Sequence, residues 1–248
     1  MPEFVEVRIK RQKDPSSEPY WEEFHVPYKK NLNVITLLQE IQRNPVNVKD
    51  EPTTPVAWDC SCLEEVCGAC TMIMNGAVGQ ACTALVDKME QPIILEPMRK
   101  FPVIRDLCVD RQRLFNDLKR VKAWVPIDGT YDLGPGPRIS QSQQQEMYIY
   151  SRCMSCGCCL DACPQYTKDN EYVGAAVFGQ TYLFNKNPTG RFLAEERLTE
   201  LMGEGGIHEC GNAQNCVRVC PKDIPLMDAI AGQNRATLIQ LFKNYFNK

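Results

Sequence analysis

Residues 153–164 read CMSCGCCLDACP, and the spacing of their cysteines decides the fold of the second half of the chain. Cys153, Cys156 and Cys159 are each separated by two residues, and Cys163 follows after three more, directly before a proline. Three thiolates in one turn-rich loop hold a cubane iron–sulfur cluster, whereas the fourth cysteine of such a run serves a second cluster. The run therefore predicts a further cysteine group elsewhere in the chain.

That further group lies near the C-terminus and consists of Cys210, Cys216 and Cys220, the last followed by Pro221. Because the fourth cysteine of each run crosses to the other cluster, the predicted [4Fe–4S] ligands are Cys153, Cys156, Cys159 and Cys220. The remaining ligands are Cys163, Cys210 and Cys216. A complete second run would have a cysteine where Ala213 stands, so one iron corner lacks a thiolate. The sequence therefore predicts a [3Fe–4S] cluster at this site.

The first half of the chain carries a different cysteine pattern. Cys62, Cys67 and Cys70 are separated by four and two residues, and Cys82 follows later. This is the spacing of a plant-type [2Fe–2S] site, and Gly68 would let the backbone approach the cluster closely. A structural zinc ion also takes four cysteines, but zinc loops usually come as two close pairs.

Three cysteines fall outside these patterns. Cys60 does not give the four-residue spacing to Cys67, and it is interpreted as a buried small side chain or a neighbour of the site. Cys108, on a stretch with helical spacing, and Cys158, out of register in its run, are interpreted as packing residues. No catalytic residues are predicted, since the two histidines are scattered and no catalytic Ser-His-Asp or Cys-His set stands out.

Composition limits the class of protein. The chain has 248 residues, fourteen cysteines and a net charge of −3. The charge gives no basic field for nucleic acid, and no apolar stretch is long enough to cross a bilayer. The start of the chain lacks the features of a secretory signal. We therefore expect a reducing compartment, where cysteines bind metal rather than form disulfides, and a location in the cytosol or on the cytosolic face of a membrane.

Hydrophobic periodicity predicts an α+β protein of two domains. Residues 4–11 and 20–28 alternate as a strand hairpin, and Asn33 caps a helix that ends at Asn44. Short strands are predicted at 71–75, 80–86 and 93–96. From residue 102 onward apolar residues recur at helical spacing, a loop is predicted at 129–137, and later helices at 142–150, 190–202 and 225–246. The domains are therefore placed at 1–105 and 106–248.

The motifs resemble a known family along the whole chain. Residues 58–70 are similar to the [2Fe–2S] loop, and residues 215–222 to the last cluster segment, of the iron–sulfur subunit of succinate dehydrogenase and fumarate reductase. Residues 97–98 and 101–106 resemble the same family. Residues 62–67 resemble the menaquinone-linked branch of Bacillus-type bacteria. The chain lacks dinucleotide and P-loop signatures, so three one-electron centres predict a relay that needs partner subunits.

The resemblance implies an N-terminal β-grasp plant-type ferredoxin domain followed by a mainly α-helical dicluster ferredoxin domain. It implies a flavoprotein partner that carries FAD and oxidises succinate, and a membrane cytochrome b anchor with haem b and quinone. The subunit would lie peripherally on the cytoplasmic face of the membrane. Pro164 matches the family proline beside the quinone. Ubiquinone-using members have a tryptophan and a histidine where this chain has Lys168, or a neighbouring residue, and Gly211, which favours menaquinone.

Three alternatives remain open at this point. One is a quinol:fumarate reductase subunit, because the direction of electron flow depends on relative potentials. Another is a soluble dicluster ferredoxin fused to a plant-type ferredoxin. The last is a zinc-stabilised interaction module.

Overall fold

The computed structural model describes residues 3–126 and 137–246. The chain forms two compact units: the first consists of Met1–Arg111 with Met154–Asp161, and the second of Gln112–Cys153 with Ala162–Lys248. The first unit extends past the expected boundary near residue 105 because a short strand pair continues to Val109. The loop predicted at residues 129–137 lies outside the described residues, apart from Pro137.

The first unit is built around a five-stranded sheet. Its strands are β1 (Phe4–Arg11), β2 (Tyr20–Pro27), β3 (Thr71–Met74), β4 (Ala77–Gln80) and β5 (Ile93–Glu96), in the order β2-β1-β5-β3-β4. β1 is antiparallel to β2 and parallel to β5. Val5, Val7 and Ile9 point into the core, as the alternation of residues 4–11 predicts.

One helix, α1 (Val34–Arg43), covers this sheet and contributes five buried residues to the core. Asn33 caps it as predicted: the Thr36 N–H donates to Asn33 Oδ1 at 2.8 Å, and Thr36 Oγ1 accepts from the Asn33 N–H at 3.1 Å. The helix ends before Asn44, whose successor is a proline. A hairpin, a helix and further strands make up the predicted β-grasp arrangement.

Two predictions were wrong in this unit. A strand was predicted at 80–86, but the observed strand β4 covers Ala77–Gln80 and ends where the predicted one begins. Val86–Lys88 forms a short 3₁₀ turn instead. The helical spacing from residue 103 also misleads, because Val103–Arg105 and Cys108–Val109 form a strand pair, β6 and β7. Asp106 turns the chain between them at φ 46°. Cys108 therefore lies on a strand, and the helix α2 (Gln112–Arg120) begins only after it.

The second unit is helical. Besides α2, it contains α3 (Gln141–Ser151), α5 (Ala175–Lys186), α6 (Ala194–Met202), α7 (Asn215–Arg218) and α8 (Leu226–Phe246), whereas α4 (Cys158–Asp161) belongs to the first unit. The helices predicted at 142–150, 190–202 and 225–246 are confirmed, although Gly190–Leu193 is 3₁₀. α5 packs against α3 and α8. It was not predicted because Ala175–Gly179 is buried on all sides and shows no helical periodicity.

Candidate metal centres

The loop before β3 is turned so that its amides face sulfur atoms. Leu63, Glu65 and Gly68 adopt positive φ values of 60°, 55° and 70°. These left-handed residues reverse the chain repeatedly between Cys62 and Cys70. Such alternating turns are the backbone arrangement that points successive N–H groups at an anion.

Two cysteine sulfurs receive these amides. The N–H groups of Glu64, Val66 and Cys67 donate to Cys62 Sγ at 3.4, 3.3 and 3.3 Å. Those of Cys62 and Ala69 donate to Cys67 Sγ at 3.5 Å each. The backbone hydrogen bonds from Glu64 and Val66 lower the pKa of Cys62 to about 7. A sulfur that accepts several N–H bonds is stabilised as a thiolate, the form that ligates iron.

The other two cysteines of this group lie where β3 and β4 pair. Cys70 directly precedes β3 and Cys82 follows β4, and the antiparallel register Thr71↔Gln80 brings the two ends side by side. Both cysteines are buried. Burial raises the pKa of Cys70 to about 12, so this thiol loses its proton only when a bound metal compensates the charge.

Cys60 was expected to be either a buried side chain or a neighbour of the site, and the structure supports only the second. It is exposed. The pKa of its thiol is raised, first by partial burial of the sulfur and then by the charge of the neighbouring Cys67.

Residues 154–161 carry a pair of cysteines with opposite character. Cys156 and Cys158 are both buried. The Cys158 thiol donates to Cys156, and this hydrogen bond is the main cause that lowers the pKa of Cys156 to about 7, with a smaller effect from the charge of Arg111. The same hydrogen bond raises the pKa of Cys158. Cys156 is therefore the thiolate of the pair, and Cys158 is a hydrogen-bond donor in addition to a packing residue.

The predicted four-iron ligands are distributed over the chain as follows. Cys156 and Cys159 lie buried in the first unit, and Cys153 and Cys220 lie half-buried in the second. Their shared ligation of one cluster stays a prediction from their spacing.

In the second unit, three cysteines surround one cavity. Cys163, Cys210 and Cys216 line about 300 Å³ of empty space, part of it open to solvent, together with Ala213 and Pro164. No sulfur is available from position 213, and the flanking residues Asn212 and Gln214 both have positive φ. The arrangement places three predicted ligands and the predicted vacant corner around the same space.

Tyr172 is a member of this site that the cysteine spacing could not reveal. Its ring is buried and lines the same cavity. Burial, followed by the Cys210 sulfur and a hydrogen bond to it, raises the pKa of the Tyr172 hydroxyl. The hydroxyl therefore stays protonated and can donate to a thiolate. No sequence signal distinguishes this tyrosine from an ordinary core residue.

Gly211 and Gln165 lie next to each other in the second unit. A Cβ added at Gly211 would lie 2.3 Å from Gln165 Nε2. The Gln165 side chain thus fills the space that a side chain at position 211 would need. Gln165 Oε1 also accepts from Cys163 Sγ at 3.9 Å, a long contact.

Within the described residues, no three His, Cys, Asp or Glu side chains lie close enough to surround a single metal ion. Over the same residues, no helix combines the length and the apolar character needed to cross a membrane.

Comparison with known proteins identifies the two halves. Residues 6–116 match the family described as "2Fe-2S iron-sulfur cluster binding domain", and residues 149–224 match the "4Fe-4S dicluster domain". The chain is therefore a two-domain iron–sulfur protein, and the predicted order of a β-grasp ferredoxin domain and a helical dicluster domain is confirmed.

Its relatives define the family further. The chain is 58% identical over 238 residues to the succinate dehydrogenase iron-sulfur subunit of Bacillus subtilis, covering 96% of this chain and 94% of that protein. It is 30% identical to the fumarate reductase iron-sulfur subunit of Wolinella succinogenes, over 87% and 88% of the two chains. The chain belongs to the family of succinate dehydrogenase iron–sulfur subunits, and the fumarate reductase subunits are its more distant relatives.

A solved structure supports the fold. A chain of the Mycobacterium smegmatis Sdh1 complex in the apo form superposes with a TM-score of 0.80 at 20% identity, covering 98% of both chains. At this identity the likeness establishes the architecture of the chain. The succinate dehydrogenase relative identifies the chain as a subunit of an oxidoreductase, as the cysteine motifs predict.

Proposed function

We propose that this chain is the electron relay of a membrane-bound succinate:quinone oxidoreductase of the tricarboxylic acid cycle, respiratory complex II. Its three iron–sulfur clusters would supply one-electron transfer between an FAD-bearing flavoprotein, where succinate becomes fumarate, and quinone at a cytochrome b anchor with haem b. The observation that carries the proposal is the pair of preformed sulfur sites, the amide-lined cysteine loop and the three-cysteine cavity. The protein's part is to hold, space and shield the clusters.

The ligands of the two-iron and three-iron clusters are assigned by combining spacing with local geometry, and those of the four-iron cluster by spacing. The [2Fe–2S] ligands are Cys62, Cys67, Cys70 and Cys82. The [4Fe–4S] ligands are Cys153, Cys156, Cys159 and Cys220. The [3Fe–4S] ligands are Cys163, Cys210 and Cys216. The last assignment is supported by the cavity that these three cysteines line together with Ala213.

The chain is proposed to lie peripherally on the cytoplasmic face of the membrane, held by the anchor subunit. This follows from the family of the chain and from its need for a donor and an acceptor. The flavoprotein would supply FAD and the site for succinate, because this sequence has no dinucleotide signature of its own.

Menaquinone is proposed as the natural quinone. The proposal rests on the motif of residues 62–67 and on Gly211, where ubiquinone-linked members have a histidine. Gln165 occupies the space beside Gly211 and lines the cavity, so an amide stands near the place of that histidine. Pro164 lines the same cavity and is proposed to lie near the quinone.

The test is metal content and electron transfer in the complex purified without oxygen. The clusters together predict about nine iron atoms per chain, from two, four and three. Cys216→Ser should lower the iron content and the three-iron EPR signal, whereas Cys108→Ser, on the non-ligand strand β7, should leave both unchanged. A content near four irons with stoichiometric zinc would refute the relay.

Activity is measured in the same complex, in both directions and with defined quinones. Succinate should reduce menaquinone analogues faster than ubiquinone analogues, and the isolated chain should not oxidise succinate at all. Faster quinol-driven fumarate reduction would instead favour the fumarate reductase alternative.

A further inference from the structure

Two cysteine-bearing segments of the first unit touch at Gly68. This residue lies between Cys67 and Cys70 and has a φ of 70°. A Cβ added to it would lie 2.7 Å from Cys156 Cβ and 2.8 Å from Cys156 Cα. Glycine adopts this φ without strain, and no Cβ fits at these distances, so the backbone of the first loop packs directly on Cys156.

Arg111 joins the two segments where they touch. Its Nη1 donates to the Gly68 carbonyl at 2.8 Å and lies 3.4 Å from the Cys156 carbonyl, a longer hydrogen bond. One guanidinium nitrogen is thus shared by a carbonyl from each segment. Since an arginine is always charged, a full positive charge sits between the two loops.

A second bridge lies beside the first and involves Gln80, which is 3% exposed. Its Nε2 donates to Thr71 Oγ1 at 2.8 Å and to Cys158 Sγ at 3.5 Å. Thr71 Oγ1 in turn donates to the Gly68 carbonyl at 2.8 Å. The two segments are therefore joined by hydrogen bonds as well as by van der Waals contact.

We propose that Arg111 is a positioning residue for electron transfer between the two-iron and four-iron clusters, acting through Gly68 and Cys156. The inference rests on the proposed ligand roles of Cys67, Cys70 and Cys156. In the step concerned, one electron leaves the reduced first cluster and reduces the oxidised second cluster, and no bond or proton changes. Arg111 holds the backbone at Gly68 in contact with Cys156, which keeps the electron-transfer path between the two clusters short.

The charge of Arg111 adds a second effect. Each reduction adds one negative charge to a cluster, and net charge and hydrogen bonding near a cluster set its potential. A guanidinium beside the carbonyl of Cys156 stabilises the reduced form of the cluster that Cys156 holds. Removing the charge should therefore make that cluster harder to reduce.

The experiment compares Arg111→Gln and Arg111→Lys in the intact complex. Arg43→Gln is the matched control, because the Arg43 side chain is 72% exposed and forms a surface ion pair with Glu40. Iron content is measured first, then the potentials of both clusters by EPR-monitored redox titration. The rate at which the second cluster is reduced after the first is followed by freeze-quench EPR.

Arg111→Gln should lower the equilibrium constant for reducing the four-iron cluster about tenfold, which is 59 mV for one electron, and should slow the transfer several-fold. Arg111→Lys should restore the potential of the four-iron cluster through its charge. It should restore only part of the transfer rate, because an ammonium group lacks the planar, forked shape of a guanidinium. Full iron content with unchanged potential and rate in Arg111→Gln would overturn the proposal. An iron content well below about nine atoms per chain in the unmodified complex would instead overturn the ligand assignment.

Discussion

Asp106→Asn removes the negative partner of an ion pair that lies deep inside the first unit. Asp106 and Arg11 are each 1% exposed, and Arg11 Nε donates to Asp106 Oδ1 at 2.9 Å. The same carboxylate accepts the N–H groups of Gln12 at 3.1 Å and Ala57 at 2.8 Å. The substitution keeps the size of the side chain, and asparagine tolerates the positive φ of this position.

The loss of unfolding free energy in Asp106→Asn follows from these partners. Breaking a buried pair by removing one partner costs about 3–5 kcal/mol. Arg11 retains Glu22 and the oxygens of Thr54 as partners, which places the expected loss at the lower end, about 3 kcal/mol. For a chain of this length, that loss lowers the melting temperature by about 6–12 °C.

The assay is thermal unfolding of the complex, followed by the [2Fe–2S] absorption. Ala57 precedes the cysteine loop, so we expect the two-iron signal to be lost before the others as the temperature rises. Asp50→Asn is the matched control, because Asp50 also has a positive φ, 60°, but is exposed. An Asp106→Asn protein that melts within 2 °C or so of the Asp50→Asn protein would refute the calculation.

Three further predictions concern the second unit and the quinone. Ala213→Cys should admit a fourth iron and lower the potential of that cluster, because the added thiolate adds negative charge; an unchanged three-iron EPR signal in the folded variant would contradict this. Burial raises the pKa of the Asp117 carboxyl from 3.8 to about 6. The carboxyl therefore loses its proton at a lower pH in the unfolded chain than in the folded one. The fold therefore loses stability as the pH rises through this range, by about 2–3 kcal/mol in full. Asp117→Asn should accordingly raise the free energy of unfolding at pH 8 more than at pH 5, measured by urea denaturation, and an equal effect at both would argue against it. Gln165→Ala, which empties the space beside Gly211, should raise the KM for menaquinone analogues and leave the iron content unchanged; an unaltered KM would remove Gln165 from the quinone site.

Much of the chemistry could be predicted from the sequence because ligand spacing is local. A cluster needs thiolates at set intervals in one loop, so the cysteine runs predicted the two family domains without knowledge of the fold. The strand at 4–11 and the cap at Asn33 were equally readable, since both depend on a few adjacent residues.

The helix α5 and the strands β6 and β7 were not predicted, because their surroundings decide them. The first half of α5, Ala175–Gly179, is apolar and buried on every side, which removes the periodicity that identifies a surface helix. The turn at Asp106 is fixed by Arg11, which lies far away in the sequence. A local pattern cannot contain such a partner.

The sequence by itself predicted which sulfur atoms bind iron, because residue identity and spacing set that chemistry. The tertiary structure alone decided how these atoms are tuned and joined. It placed the Cys158 thiol against Cys156, Tyr172 beside Cys210 and Arg111 across Gly68 and Cys156. The contacts of Tyr172 and of Arg111 join segments separated by tens of residues, and only packing of the folded chain brings such segments within hydrogen-bond distance.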